Sequence, residues 1–300
     1  MKPKIILIIG HGRSGTTLLD KVISKVVDGF SAGEVHRLWT WSMIKNWECA
    51  CGKPFKECDV WKQIMKETYE KVSISRAKSD KLWHRTARPW HIPQLFLPGI
   101  RSRGYMNRLR CYRKLLKSLY YSIKKVSNKN IIVDSSISPI HGKVVSGIKG
   151  IKTSIIHIER DCRAVAFSNK KDKRNDARGK RKKMDKKSLL RTLVSWTIYK
   201  VLSDRIISNS RKSAHISYKS LAKEPKQVMG EILTNLGLDG NIKETFIDEK
   251  TIEFRKRHTV LGNPMRQKTG KVEIKYDEEW KNEMSSFHKK VISISTNWFE

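Results

Sequence analysis

Residues 5–17 read IILIIGHGRSGTT, and this stretch decides the fold. Five consecutive apolar residues, 5–9, predict a buried β-strand. The glycines that follow predict a tight turn, and the TTLL sequence at 16–19 predicts the beginning of a helix. Backbone N–H groups of such a loop, together with the N-terminus of the helix behind it, form a binding site for anions. The stretch therefore predicts a phosphate-binding loop between a strand and a helix.

The loop departs from the P-loop of nucleoside triphosphatases at one position. The spacing of Gly10 and Gly15 matches the glycines of G-x-x-x-x-G-K-[ST], but Thr16 replaces the lysine. Because that lysine reaches the β- and γ-phosphates, its loss argues against hydrolysis of a nucleoside triphosphate. The nearest cation is Arg13, whose planar guanidinium suits a 5′-phosphate or a sulfonate. A glycine turn that binds no ligand is the alternative.

Strand and helix patterns alternate along the rest of the chain. Apolar strands are predicted at 4–9, 130–134, 153–158 and 214–217. Helices are predicted at 15–28, 35–47, 60–75, 105–126, 140–148, 161–170, 186–212 and 225–236. This alternation predicts an α/β fold of three layers, with a central parallel sheet flanked by helices. A ligand is expected at the carboxyl ends of the strands.

The chain length predicts a single domain. Its 300 residues suit one α/β domain, 1–300, with irregular insertions near 48–104 and a basic loop near 170–187. Only five apolar residues separate Lys4 from the glycine loop, which is too short for a signal peptide. We therefore expect a cytoplasmic protein without a transmembrane segment.

The formal net charge is +34, from 63 lysines and arginines against 29 aspartates and glutamates. Such a charge attracts polyanions, including nucleic acids, acidic glycans and anionic membrane surfaces. The basic loop near 170–187 lacks the aromatic side chains that stack on nucleic-acid bases, so no specific nucleic acid is expected. A solvated loop is the simplest interpretation. An electrostatic clamp for an anionic acceptor and a peripheral membrane contact are the alternatives.

Three of the five cysteines, Cys49, Cys51 and Cys58, lie close together in the sequence. A zinc site would need a fourth ligand, and His36 or Asp59 could be named only as guesses. A loop closed by one disulfide and a group of free thiols are the alternatives.

A second candidate phosphate site follows the strand predicted at 153–158. Arg160 lies at the carboxyl end of that strand, and Ser168 lies two turns along a helix that begins near Asp161. A guanidinium and a hydroxyl are suitable donors for a ribose 3′-phosphate. A surface helix capped by Asp161 would produce part of the same pattern.

The two motifs together resemble those of sulfotransferases that use 3′-phosphoadenosine 5′-phosphosulfate (PAPS). The chain looks like the bacterial type, close to the carbohydrate and tyrosyl-protein branches. GHGRSGTTLLDKVI at 10–23 matches their 5′-phosphosulfate motif, and IERDCRAVAFS at 158–168 matches their 3′-phosphate motif. Further similarities are AGE at 32–34, the CxCG-x6-C cluster, VDSS at 133–136, SY at 217–218 with Pro225, His258, and GNPMR at 262–266.

The resemblance implies a P-loop-like fold and transfer of a sulfuryl group from PAPS to a hydroxyl or amine, with no metal required. The acceptor is expected to be a small molecule, a glycan or another alcohol, and its anionic forms suit the charge of the chain. The residues expected to bind the donor are Gly10, Gly12, Arg13, Ser14, Gly15, Thr16, Thr17, Arg160, Ser168 and Arg266. For Arg266, a basic turn without a ligand is the alternative.

The expected catalytic residues are Arg13, which neutralises charge on the leaving group, and Glu34, the candidate general base. Glu34 follows Arg13 by 21 residues, as the base glutamate of the tyrosyl-protein branch does. An N-cap for the helix predicted at 35–47 is the alternative role of Glu34, and His36 is a reserve base. Relatives commonly carry lysine where this chain has Ile137, and Lys21 or Lys143 are the candidate replacements.

Two other functions are consistent with the sequence. The strand that ends at Asp134 looks like the metal-binding strand of a P-loop nucleotide kinase or NTPase. The high positive charge suits a polyanion-binding protein on a decayed sulfotransferase scaffold, whose binding would depend steeply on salt.

Overall fold

A computed structural model describes residues 2–170, 174–177, 180–183 and 188–297. The strands are β1 (Lys4–Gly10), β2 (Phe30–Gly33), β3 (Ile131–Ile137), β4 (Lys152–Glu159), β5 (Arg174–Ala177), β6 (Lys180–Lys183), β7 (Ser213–Ser217), β8 (Thr251–Phe254) and β9 (Gly270–Glu273). Five of them form a parallel sheet in the order β2-β3-β1-β4-β7. The pairs β5–β6 and β8–β9 are antiparallel hairpins. The predicted parallel sheet is confirmed.

Helices connect the strands and cover both faces of the sheet. They are α1 (Thr16–Val26), α2 (Asp59–Glu70), α3 (Arg76–His84), α4 (Ile92–Phe96), α5 (Arg103–Ser127), α6 (Pro139–Ser146), α7 (Cys162–Lys170), α8 (Leu189–Ser208), α9 (Tyr218–Lys223), α10 (Pro225–Leu236), α11 (Ile242–Thr245), α12 (Trp280–Glu283) and α13 (Ser286–Thr296). Among the described residues, no helix is both long and apolar enough to cross a membrane.

The alternation of side chains along β1 produces the three layers. Ile5, Leu7 and Ile9 belong to the core cluster that includes residues of α5 and α6. Ile6 and Ile8 belong to the cluster on the opposite face, with residues of α1 and α10. Since successive side chains of a strand point to opposite faces, one apolar strand contributes to both cores. This central position explains why all five residues are apolar.

Three predictions about local structure need correction. The sequence analysis missed β2, which has only four residues and therefore gives little periodic signal. The helix predicted at 35–47 is a short 3-10 helix, Val35–Arg37, followed by a π-helix, Leu38–Ile44. Within the segment 48–104, α2 corresponds to the helix predicted at 60–75, whereas α3 and α4 were not predicted. Of the predicted basic loop near 170–187, residues 171–173, 178–179 and 184–187 lie outside the described residues.

A buried carboxyl group ties α1 to the sheet. Asp20 is 1% exposed, and its Oδ2 accepts a hydrogen bond of 2.6 Å from Oγ of Ser135 on β3. Burial raises the pKa of Asp20 to about 6, although the hydrogen bond from Ser135 opposes the shift. The folded protein therefore holds a proton on Asp20 at pH values where the unfolded chain has released it.

We expect this carboxyl group to make stability depend on pH between about 4 and 6. The folded-state pKa lies above the ordinary aspartate value, so the folded state binds more protons in this window, and stability falls as pH rises. In Asp20→Asn this component is absent, so the stability of the variant relative to the wild type should rise by about 2 kcal/mol between pH 4 and pH 6. Urea unfolding at several pH values measures the difference.

Asp28→Asn is the matched control, because Asp28 follows the same helix and its side chain is 85% exposed. The control should show the pH dependence of the wild type. A constant difference between Asp20→Asn and the wild type across the window would contradict the role of Asp20.

Candidate active site

The glycine loop joins β1 to α1 in a conformation that few residues other than glycine can adopt. Gly10 has φ +149° and Gly15 has φ +86°. A Cβ atom on Gly10 would strike the carbonyl oxygen of Ile158 on β4, and one on Gly15 would strike the ring of Tyr218. The loop therefore packs directly against the strand and helix beside it, and its two glycines allow that approach.

The N-terminus of α1 opens onto a cleft. Gly15 is the N-cap residue, and no side chain among the described residues caps the helix there. The first turn also carries no acidic residue. Thr16 and Thr17 line the cleft, so the N–H groups of this turn and two hydroxyls lie beside the space that a ligand would occupy. Helix N-termini of this kind favour phosphate and other anions.

The cleft has a volume of about 1120 Å³ and brings together most of the predicted site residues. Those that line it are Gly12, Arg13, Gly15, Thr16, Thr17, Glu34, Arg160 and Ser168. Gly10 and Ser14 belong to the loop but are buried and do not line the cleft. Arg266 is 3% exposed and lies behind the wall of the cleft, where Nη1 donates to the carbonyl oxygen of Gly262 at 3.2 Å.

Arg160 is held between the loop and the opposite wall. Its Nη1 donates to the carbonyl oxygen of Arg13 at 3.1 Å, and its Nη2 donates to Oδ2 of Asp277 at 3.1 Å. The guanidinium also lies 4.3 Å from the centre of the Tyr218 ring. Its buried Nε has no hydrogen-bond partner in the part of the chain that the structure describes. The guanidinium is thus oriented by protein contacts and retains one donor.

Ser168 lies on the helix that follows this arginine. β4 ends at Glu159 and α7 begins at Cys162, which agrees with the predicted strand and helix around Arg160. Ser168 and Asn169 line the cleft from α7. The hydroxyl and the guanidinium therefore belong to the same cleft as the glycine loop.

Glu34 enters the cleft from the end of β2. Its N–H donates to the carbonyl oxygen of Val260 at 3.0 Å, which fixes the backbone. The carboxylate lies 3.3 Å from Nη1 of Arg37, and the side chain is 13% exposed. Burial lowers the pKa of Arg13, and the negative charge of Glu34 opposes that shift, so the two groups interact electrostatically. Glu34 precedes Val35–Arg37, but its side chain makes no capping hydrogen bond, so the capping alternative is not supported.

His36 does not line this cleft. Its N–H donates to Oγ of Ser136 at 3.0 Å, and its ring lies 6.1 Å from that of His141. Burial, assisted by the positive charge of Arg37, lowers the pKa of His36 well below its usual range. The structure therefore places this half-buried reserve base outside the cleft.

The geometry agrees with what comparison of the sequence finds. A model described as "Sulfotransferase family" matches residues 3–241. The chain belongs to the sulfotransferase family. It is therefore an enzyme of sulfuryl transfer. No curated protein matches this sulfotransferase.

Solved structures similar to this sulfotransferase include three other sulfotransferases or sulfotransferase domains. The sulfotransferase domain from the curacin biosynthetic pathway is 13% identical, with 98% of each chain covered and a TM-score of 0.48. The sulfotransferase domain of the Synechococcus PCC 7002 olefin synthase is 15% identical, with coverage of 100% and 96% and a TM-score of 0.46. A sulfotransferase from Mycobacterium tuberculosis H37Rv is 11% identical, with coverage of 79% and 68% and a TM-score of 0.42.

The floor of the cleft in this sulfotransferase contains a strained residue. Ile137, at the end of β3, has φ +49°, which is a rare conformation for a β-branched residue. Neither candidate replacement for a lysine at this position lines the cleft. Lys21 is buried, and its Nζ donates to the carbonyl oxygens of Met265 and Lys268 at 3.0 and 2.5 Å. Lys143 lines a different cleft.

The sequence analysis missed several residues of the cleft wall. They are Arg37, Trp41, Trp47, Lys268, Lys271, Lys275 and Asp277. Most of them lie in or beside the π-helix and the β8–β9 hairpin, and none belongs to a recognisable motif. The high positive charge of the chain indicated that basic residues would be abundant. Net charge alone does not predict which lysines lie together in the cleft.

Asp134 does not serve this sulfotransferase as a metal-binding residue facing the cleft. It is fully buried, and its Oδ2 accepts a hydrogen bond of 2.5 Å from the hydroxyl of Tyr120. Nε2 of His141 lies 2.9 Å from the same oxygen, and Oδ1 accepts a hydrogen bond of 3.0 Å from the N–H of Ser136. Both carboxylate oxygens are engaged within the core, so the resemblance to a nucleotide kinase does not extend to metal binding.

Proposed function

We propose that this sulfotransferase transfers a sulfuryl group from PAPS to a hydroxyl group of a glycan or another alcohol. The main observation in support is that the two motifs expected to bind phosphate contact each other and line one cleft. Arg160, from the second motif, donates to the backbone of Arg13 in the first. A donor with phosphates on both its 3′ and 5′ sides suits such a pair, whereas ATP has no 3′-phosphate for Arg160 and Ser168 to bind.

The residues present fit PAPS at both ends. The N-terminus of α1, the hydroxyls of Thr16 and Thr17, and the guanidinium of Arg13 would hold the 5′-phosphosulfate. Arg160 and Ser168, which both line the cleft, would hold the 3′-phosphate. The pairing of Arg160 with Asp277 means that a phosphate would compete with a carboxylate for the guanidinium.

Transfer requires one bond to form and one to break at sulfur. The acceptor oxygen bonds to sulfur, and the bond between sulfur and the 5′-phosphate oxygen breaks with its electron pair left on that oxygen. Arg13 and the N–H groups of α1 stabilise this charge as it develops. Glu34 accepts the proton of the acceptor hydroxyl. Nη1 of Arg37 lies 3.3 Å from the carboxylate of Glu34, and this contact orients the carboxylate before the acceptor arrives.

The mouth of the cleft supports an anionic sugar or a similar alcohol as acceptor. Trp41 and Trp47 line it, with ring centres 4.5 Å apart. Lys268, Lys271 and Lys275 line the same cleft. Aromatic rings give an apolar surface, and the lysines attract acidic substituents.

Calorimetric titration with 3′,5′-adenosine bisphosphate and with ATP tests the choice of donor. We expect tight binding of the bisphosphate without magnesium, and binding of ATP that is at least about tenfold weaker, since one lost charge-assisted contact costs about 1.5–3 kcal/mol. ATP binding that is tight and depends on magnesium would instead support a nucleoside triphosphatase.

Variants of Arg160 and its partner test the 3′-phosphate site. Arg160→Ala should lower the affinity for the bisphosphate about 10- to 100-fold. The affinity for adenosine 5′-phosphosulfate, which lacks the 3′-phosphate, should change much less. Asp277→Asn removes the competing carboxylate and should raise the affinity for the bisphosphate. Glu278→Gln, an exposed neighbour paired with Lys281, removes the same charge without touching Arg160 and should have little effect. Equal losses for both nucleotides in Arg160→Ala would contradict the assignment.

Glu34→Gln tests the general base. Turnover should fall about 100-fold or more, whereas calorimetry should find the affinity for the bisphosphate nearly unchanged. Glu273→Gln is the control, because Glu273 lines the same cleft and also loses one charge. Similar turnover in the two variants would mean that Glu34 only contributes charge.

A further inference from the structure

Four side chains with metal-binding atoms meet beside the active-site cleft. They are Cys49, Cys51, Cys58 and His258, and their ligand atoms all lie within 4.8 Å of one another. The three cysteines are buried, and none forms a disulfide. This cluster supplies the fourth ligand that the sequence alone could not name, because His258 lies 200 residues beyond Cys58.

The separations suit a tetrahedral metal ion. Zinc lies about 2.3 Å from cysteine sulfur and about 2.0–2.1 Å from histidine nitrogen, which puts neighbouring ligand atoms roughly 3.6–3.8 Å apart. The four ligand atoms lie within 4.8 Å of one another, and Sγ of Cys58 lies 3.2 Å from Nδ1 of His258, so shifts of about 1 Å or less would bring them to these separations. Three thiolates and one imidazole form a donor set typical of structural zinc.

The backbone holds the ligands before any metal binds. The N–H of Cys49 donates to the carbonyl oxygen of Lys53 at 2.9 Å. The N–H of Gly52 donates to the carbonyl oxygen of Cys49 at 2.9 Å. This turn presents Cys49 and Cys51 together. Nε1 of Trp61, on α2, donates to the carbonyl oxygen of His258 at 2.5 Å, which positions the histidine beside Cys58.

We propose that Cys49, Cys51, Cys58 and His258 bind one structural zinc ion. Four protein ligands complete a tetrahedral coordination and leave no position for a substrate or a reactive water. The ion therefore takes no part in sulfuryl transfer, and the expectation that the chemistry needs no metal is unaffected.

The zinc site would fix the segment that supports Glu34 and the donor loop. Directly after His258, the carbonyl oxygen of Thr259 accepts a hydrogen bond of 3.0 Å from Ala50, within the cysteine turn. The carbonyl oxygen of the next residue, Val260, accepts a hydrogen bond of 3.0 Å from the N–H of Glu34. The N–H of Asn263 then donates to Oγ1 of Thr17 at 3.3 Å. A metal at one end of this segment thus stabilises both the base and the loop.

Metal analysis of the purified full chain tests the proposal. We expect one zinc per chain in the wild type and in Cys111→Ser, whose exposed cysteine lies outside the cluster. Cys58→Ser and His258→Ala should bind zinc at least about tenfold more weakly, and a chelator should lower the melting temperature of the wild type. Wild-type protein without stoichiometric metal, or with a disulfide among Cys49, Cys51 and Cys58 in the mass of the unreduced chain, would overturn the site.

Cobalt substitution of the wild type gives a readout that does not depend on whether the variants fold. Protein produced with cobalt should show the visible absorption of a tetrahedral ion and the near-ultraviolet absorption of cobalt–thiolate bonds. A spectrum of six-coordinate cobalt without thiolate absorption would contradict the proposal. Cys111→Ser should give the spectrum of the wild type.

Discussion

The close approach of the glycine loop to β4 and α9 is the constraint on which the rest of the site depends. Neither Gly10 nor Gly15 has room for a Cβ atom, because Ile158 and Tyr218 occupy that space. Contact at this distance brings the backbone of Arg13 within 3.1 Å of Arg160. Two motifs that are separated by almost half of the chain thereby line one cleft. Any side chain at these glycines would push the two motifs apart.

Charge inside the cleft is arranged in opposed pairs. Arg160 faces Asp277, and Glu34 faces Arg37, each within 3.3 Å. Each pair orients a side chain of the cleft, which reduces the reorganisation needed when a charged ligand binds. The net charge of +34 acts at longer range, where it attracts acidic molecules but does not orient them.

The sequence was sufficient to predict the local structure around the cleft. The loop after β1 and the Arg160 motif after β4 each consist of a strand, a turn and a helix, so the apolar pattern and the residue spacing predicted these elements. The failures have a common physical cause. β2 has four residues, the π-helix at Leu38–Ile44 has an unusual period, and His258 meets Cys58 only through tertiary packing. Neither a short element nor a long-range contact produces a periodic signal.

The strand order also has a consequence for how the chain is made. β1 lies at the centre of the sheet and pairs only with β3 and β4, which begin at Ile131 and Lys152. During synthesis at roughly 5–20 residues per second, the apolar strand IILII waits on the order of 10 s for its first partner to leave the ribosome. An unpaired strand of this composition is prone to aggregation. The segment that precedes the glycine loop is therefore exposed to aggregation while the protein is being synthesised.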